Sequence, residues 1–117
     1  MSYTQKKIIH DGDHGGDDFM TTIIAAINSN VDLIAVTTCS GNTNASQAAK
    51  NACQALSLVG QYNIPVYSGS TVAYNNKSQE GDNAFDGDGL GGIIFPSTNK
   101  TPKEEDAVDA MANILRA

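Results

Sequence analysis

Three short β-prone runs, Lys7-Ile8-Ile9-His10, Val31 to Thr38 and Ile64-Pro65-Val66-Tyr67, alternate with two stretches whose apolar residues recur at helical spacing. This alternation constrains the chain more than any other feature, because parallel strands need a long crossover and a helix is the usual one. In the first stretch Phe19, Ile23 and Ile27 recur at four-residue steps, Met20 and Ile24 widen the apolar face, and Asn28-Ser29-Asn30 stops it. The second runs from about Ala45 to Val59, with Ala48, Ala49, Ala52, Cys53, Leu56 and Val59 on the buried side and Gly60 as the stop. Val31 to Thr38 is nearly continuous in apolar character, as strands buried on both faces are. Thr101-Pro102-Lys103-Glu104 predicts a third helix start, with Thr101 as cap, Pro102 at the first position and Glu104 closing a capping box. Val108, Met111, Ile114 and Leu115 would line its apolar face. The expected fold class is α/β, a parallel sheet of βαβ units with about three strands and three helices. Such a sheet reads as the front part of a larger doubly wound domain.

The 117 residues fit one domain spanning 1–117. Residues 68–100 run without periodicity and are rich in Asn, Gly, Ser and Asp, which predicts a long loop of active-site type. A net charge of −6 argues against a broad phosphate-binding surface, so no nucleic-acid partner is expected. No apolar run approaches the roughly 20 residues of a membrane helix, and Met-Ser-Tyr-Thr-Gln-Lys-Lys is not a signal-peptide start. A soluble cytoplasmic protein with no membrane association is expected. Cys39 and Cys53 lack metal-ligand spacing and read as two small buried hydrophobes in a reducing compartment.

Acids and glycines are concentrated. Segments 11–18 and 81–92 hold 7 of the 13 acids and 8 of the 11 glycines, although like charges repel and glycine is costly to order. A cationic or polyhydroxylic ligand would offset both. The first segment, Asp11-Gly12-Asp13-His14-Gly15-Gly16-Asp17-Asp18, lies between a strand and a helix, and parallel-sheet ligands gather at such strand ends. Ser40 to Asn42 and Ser68 to Ser70 fall on the same edge. Carboxylates there suit a hard cation such as Ca²⁺ or Mg²⁺, with Asp13 and Asp18 able to reach one ion from the strand end and the helix start. Capping of the helix is the plainer reading, but four acids in eight residues exceed what capping needs. The EF-hand register fails, since its fifth and twelfth positions would hold Gly15 and Thr22. A Walker loop is absent. A haloacid-dehalogenase-type Asp-x-Asp fits Asp11 and Asp13, with Gly15 where Thr or Val is expected.

Strand-Asp11-Gly12-Asp13-His14-Gly15-Gly16-Asp17-Asp18-helix resembles the Asp-x-Asp-Pro-Gly-x-Asp-Asp signature of the inosine-uridine-preferring nucleoside hydrolases. The resemblance continues through Ile34-Ala35-Val36-Thr37-Thr38-Cys39-Ser40-Gly41-Asn42, Lys50-Asn51-Ala52, Ile64-Pro65-Val66-Tyr67-Ser68-Gly69 and Asp86-Gly87-Asp88-Gly89-Leu90-Gly91-Gly92. It implies the N-terminal portion of a Rossmann-like core and a Ca²⁺-dependent hydrolysis of ribonucleosides to base plus ribose. By residue, it implies Asp13 and Asp18 as Ca²⁺ ligands, with Asp13 also general base on a metal-bound water. Asp17 and Asn42 would bind ribose hydroxyls, and Asp11 would brace the loop. The chain departs from the pattern at His14, where the family has Pro, and at Phe85, where the third loop usually has His. His14 is either an extra ligand or a tolerated substitution. His10 reads as a structural residue. The match covers roughly the first third of such an enzyme, so the site's remaining oxygen ligands fall outside it. The expected partner is a small-molecule ribonucleoside, with the chain a homo-oligomer or a fragment of a larger one. The alternative is a truncated domain without turnover that binds a divalent cation or ribosyl ligand, or associates with itself.

Overall fold

The structure is a computed structural model, and it describes residues 4–75, 77 and 84–117. Three strands and three helices follow one another as β1 (Lys6–Gly12), α1 (Gly16–Ile27), β2 (Val31–Thr38), α2 (Ala45–Leu58), β3 (Val66–Ser68) and α3 (Ala107–Arg116). The strands form one parallel sheet in the order β1-β2-β3, with His10 opposite Val36 and Val36 opposite Val66. The α/β architecture of βαβ units is as the hydrophobic spacing predicts.

Each boundary has a local cause. In α1, Asp17 and Asp18 sit in the first turn, where the positive end of the helix dipole favours carboxylates. Asn44 caps α2 by accepting from the Gln47 backbone N–H at 2.8 Å. Gly60, at φ +71°, closes the far end as the Gln61 N–H returns to the Leu56 carbonyl at 2.9 Å. Along α2, Ala45, Ala48, Ala49, Ala52, Ala55, Cys53 and Leu56 are buried, so small side chains bring the helix close to the sheet. Leu33, Val36, Ala49, Ala52, Cys53, Leu56 and Val66 make the core, with Ile8, Ala25, Ala26 and Ile64 packed around it.

Two expectations at the C-terminal end are corrected. Thr101 does not start a helix; the Lys103 N–H instead donates to the Val66 carbonyl at 2.8 Å, and Lys103 bridges to Tyr67 in parallel. The outer edge of β3 offers unpaired backbone groups, and pairing with them holds residue 103 extended. The helix therefore begins one cap later, where the Asp106 side chain accepts from the Val108 N–H at 2.8 Å. Its buried residues are Ala107 and Ala110, while Val108 and Leu115 are exposed. Met111, Ile114 and Leu115 with Ile8, Ile9 and Ile34 line an open apolar groove of about 430 Å³.

The described part of the long loop lies along α2. Gln54 Nε2 donates to the Pro96 carbonyl at 2.8 Å, the Ser57 and Thr98 hydroxyls pair, and Phe95 stacks on Phe19 with ring centroids 5.0 Å apart. Asn76 and Asp82 lie outside the described residues.

Leu56 is the largest fully buried side chain, and it is central to the core between α2 and the sheet. Leu56→Ala should cost about 3 kcal/mol in urea unfolding, from lost transfer energy and the cavity left behind.

Candidate functional site

Because all three strands run parallel, their C-terminal ends bring Gly12, Thr38 and Ser68 to one edge. Asp11, still within β1, accepts a 2.6 Å hydrogen bond from the Thr37 hydroxyl on the neighbouring strand. Beyond it the chain turns so tightly that carboxylates touch glycines. A Cβ at Gly41 would lie 2.1 Å from Asp13 Oδ2, and one at Gly12 would lie 2.4 Å from Asp18 Oδ2. No side chain fits at either place, which explains why acids and glycines are interleaved here.

Asp13 Oδ2 accepts from the Asn42 backbone N–H at 2.8 Å, tying the first loop to the turn after β2. Asp18 Oδ2 accepts from the backbone N–H groups of Asp13 at 3.0 Å and His14 at 3.3 Å. The Asp13 and Asp18 carboxylates are near enough for each to affect the other's ionisation. Burial, reinforced by the contact and charge of Asp18, raises the Asp13 carboxyl above the ordinary value, against the lowering effect of the Asn42 N–H. Burial also works against ionisation of Asp18, but hydrogen bonds from Asp13 and His10 outweigh it and hold Asp18 below the ordinary value.

The other expected site residues gather nearby. Asn42 is half-buried with its Oδ1 close against Gly15, and Asp17 is exposed on the first turn of α1. Phe85 lies against Gly15 and Gly16. Of the second acidic segment, Asp88 serves its own turn: its Oδ1 accepts from the N–H groups of Leu90 at 2.9 Å and Gly92 at 3.2 Å. Among the described residues, no three His, Cys, Asp or Glu side chains form a metal-binding group. The described part of the second segment therefore adds no metal-binding group to the first.

Two polar residues at the site, Asn51 and Thr22, escaped the sequence reading. Asn51, inside a quoted motif but given no role, is buried on α2 and donates through Nδ2 to the His14 carbonyl at 2.9 Å and the Asp88 carbonyl at 2.7 Å. It ties both glycine-rich loops to one helix. His14 is fully buried at φ +39°, and its Nδ1 lies 3.2 Å from the Gly12 carbonyl. Thr22, one turn after Asp18, is also fully buried, with its hydroxyl 2.9 Å from both His14 Nε2 and His10 Nδ1. His10 Nε2 in turn reaches Asp18 Oδ1 at 3.2 Å. The i, i+4 spacing of Asp18 and Thr22 carried a signal, but Thr22 reads as one polar residue on an apolar face until the fold brings the two histidines to it.

One further correction concerns Cys39, which is exposed, not buried. Partial desolvation and the charges of Asp11, Asp13 and Asp18 push its thiol up. Cys53 is buried as expected, and burial takes its thiol to about 11.

The chain was compared with known proteins. Residues 8–117 match the family model described as inosine-uridine preferring nucleoside hydrolase. An uncharacterized protein of Schizosaccharomyces pombe is 34% identical over 110 residues, covering 94% of this chain and 36% of that protein. The pyrimidine-specific ribonucleoside hydrolase RihA of Photobacterium profundum is 36% identical over 110 residues, again 94% of this chain and 36% of the relative. Among solved structures, a plant nucleoside hydrolase superposes with a TM-score of 0.88 at 30% identity, over 97% of this chain and 36% of that one. A purine-preferring ribonucleoside hydrolase from Gardnerella vaginalis gives 0.84 at 27% identity, over 95% and 36%. The chain spans about a third of the length of these relatives.

Burial holds the His14 imidazole below its ordinary value, against the Gly12 carbonyl, which raises it. A depressed folded-state value means the contribution to stability is full above about pH 6.5 and is lost as pH falls through the folded value. Urea midpoints should therefore fall between about pH 8 and pH 5, and fall less in His14→Asn, since asparagine accepts the positive φ.

Proposed function

The chain belongs to the inosine-uridine preferring nucleoside hydrolase family, and we propose that its first acidic loop is the cation- and ribose-binding side of a site that hydrolyses ribonucleosides to base plus ribose. One observation carries this reading: backbone N–H groups hold two carboxylates of different elements, Asp13 and Asp18, on one turn at the C-terminal edge of the sheet. A hard divalent cation between them offsets their repulsion, so the donor set fits Ca²⁺. Ca²⁺ takes six to eight oxygens, of which Asp13 and Asp18 would supply a part. When bound, the ion would supply Lewis acidity for activating water and orienting vicinal hydroxyls.

The chain's own residues do the rest in this reading. Asp13 is the base that accepts a proton from the attacking water. Asp17 and Asn42 hold ribose hydroxyls, and the Thr37 to Asp11 hydrogen bond braces the end of β1. Cleavage of the N-glycosidic bond builds positive charge on the sugar ring, and carboxylates fixed beneath the ring stabilise that charge as it forms. We place this chemistry in the cytoplasm; no helix among the described residues is long and apolar enough to cross a membrane.

A second reading is a cation- or ribosyl-binding domain that associates with itself and does not turn over. The open groove beside β1, an edge strand lined by Ile8, Ile9, Ile34, Met111, Ile114 and Leu115, favours it. Calorimetry with Ca²⁺, paired with a reducing-sugar assay on inosine and uridine, separates the two. Ribose release reduced at least about 100-fold by Asp13→Ala supports the first. Ca²⁺ binding without ribose release supports the second, and absence of both removes each.

Asp13 also gives a stability test. Its raised value means that its contribution is full below the ordinary carboxylate range and is lost as pH rises through the folded value. At neutral pH without divalent cation, Asp13→Asn should melt above the wild-type chain by scanning calorimetry, and it should lose the rise in melting temperature that Ca²⁺ gives the wild type.

A further inference from the structure

We propose that Thr22, through His10 and His14, is a positioning residue for Asp18. The argument starts from proton counting. The Gly12 carbonyl can only accept, so His14 Nδ1, 3.2 Å away, carries the hydrogen and Nε2 of the neutral ring is an acceptor. The Thr22 hydroxyl has one proton, and it donates that proton to His14 Nε2 at 2.9 Å. It must then accept from His10 Nδ1, also at 2.9 Å. One carbonyl at the end of β1 thereby sets the direction of each hydrogen bond as far as His10. The last contact, His10 Nε2 to Asp18 Oδ1 at 3.2 Å, meets a carboxylate that only accepts, so both nitrogens of the His10 ring donate and the two groups form an ion pair.

The result is a carboxylate held from two sides. Backbone N–H groups of Asp13 and His14 fix Oδ2, and the histidine fixes Oδ1, so Asp18 is offered to the loop in one orientation. The device draws on β1, the loop and α1, with the two rings 5.0 Å apart and tilted by 45°. Thr22 and His14 are fully buried, so the hydroxyl has no competing solvent. An outer group that orients a ligating carboxylate in this way typically changes cation affinity by 10–100-fold when removed.

The experiment compares Thr22→Val, which keeps the shape and deletes the hydroxyl, with Thr22→Ser, which keeps the hydroxyl. Long-range ¹H–¹⁵N correlation spectra report the tautomer of each histidine, and Ca²⁺ titration reports the orientation of Asp18. The wild type and Thr22→Ser should show His14 as the Nδ1–H tautomer; Thr22→Val should lose that single tautomer and bind Ca²⁺ about 10-fold more weakly, with serine restoring the affinity. An Nε2–H tautomer of His14 in the wild type overturns the proposal by itself, even if Thr22→Val does not fold. Unchanged spectra in Thr22→Val, or failure of serine to restore them, also overturn it. The Ca²⁺ arm rests on the function proposed above. A wild-type chain that binds no Ca²⁺ defeats that reading, and the tautomer spectra still decide the role of Thr22.

Discussion

Two carboxylates held on one turn are the constraint on which the rest of this structure depends. Left to electrostatics, Asp13 and Asp18 would separate, since like charges this close cannot both ionise without cost. They stay because backbone donors hold them: the Asn42 N–H on Asp13, and the Asp13 and His14 N–H groups on Asp18. Glycine at 12 and 41 leaves the space that the Asp18 and Asp13 carboxylates occupy. The parallel register of β1 and β2 brings the two turns together in turn, and α1 starts where its dipole favours the second carboxylate.

Much of this was legible in the sequence because it rests on local periodicity. The continuous apolar run Val31 to Thr38 coincides with β2, and the alanine-rich spacing of 45 to 58 coincides with α2. The acidic loop stands out as a candidate site because its composition is unfavourable for stability alone. What escaped depends on partners distant in sequence. Thr101 to Glu104 is a sound local helix start, yet the open edge of β3 takes the Lys103 N–H and moves the helix to Asp106. Asp86 and Asp88 look like more of the same acidic site, but Asp88 closes its own turn. Composition registers a carboxylate without showing which way it faces.

The two glycine-rich segments are nevertheless one assembly. Asn51 grips the His14 and Asp88 carbonyls with a single amide, and the Thr43 hydroxyl donates to the Gly87 carbonyl at 3.0 Å. Phe85 then lies against Gly15 and Gly16, so an apolar ring of the second loop covers the first. Helix α2 is therefore more than a crossover: its inner face packs the core, and its first turns anchor both loops.

The polar network beneath the site bears on why such a loop is worth building. His10, Thr22 and His14 put three hydrogen-bonding side chains where apolar ones would pack at lower cost, and a half-satisfied buried network is worse than none. Among the described residues no buried side-chain polar atom lacks a partner, so the network is complete. Completeness comes from donor directions set from the Gly12 carbonyl as far as His10, which closes the network by donating from its other nitrogen to Asp18 as an ion pair. An apolar core would stabilise the same helix and strand but leave Asp18 Oδ1 without its side-chain donor. The cost of burying these groups is matched by a carboxylate whose orientation is decided before any ligand arrives, which is the condition a preorganised site has to meet.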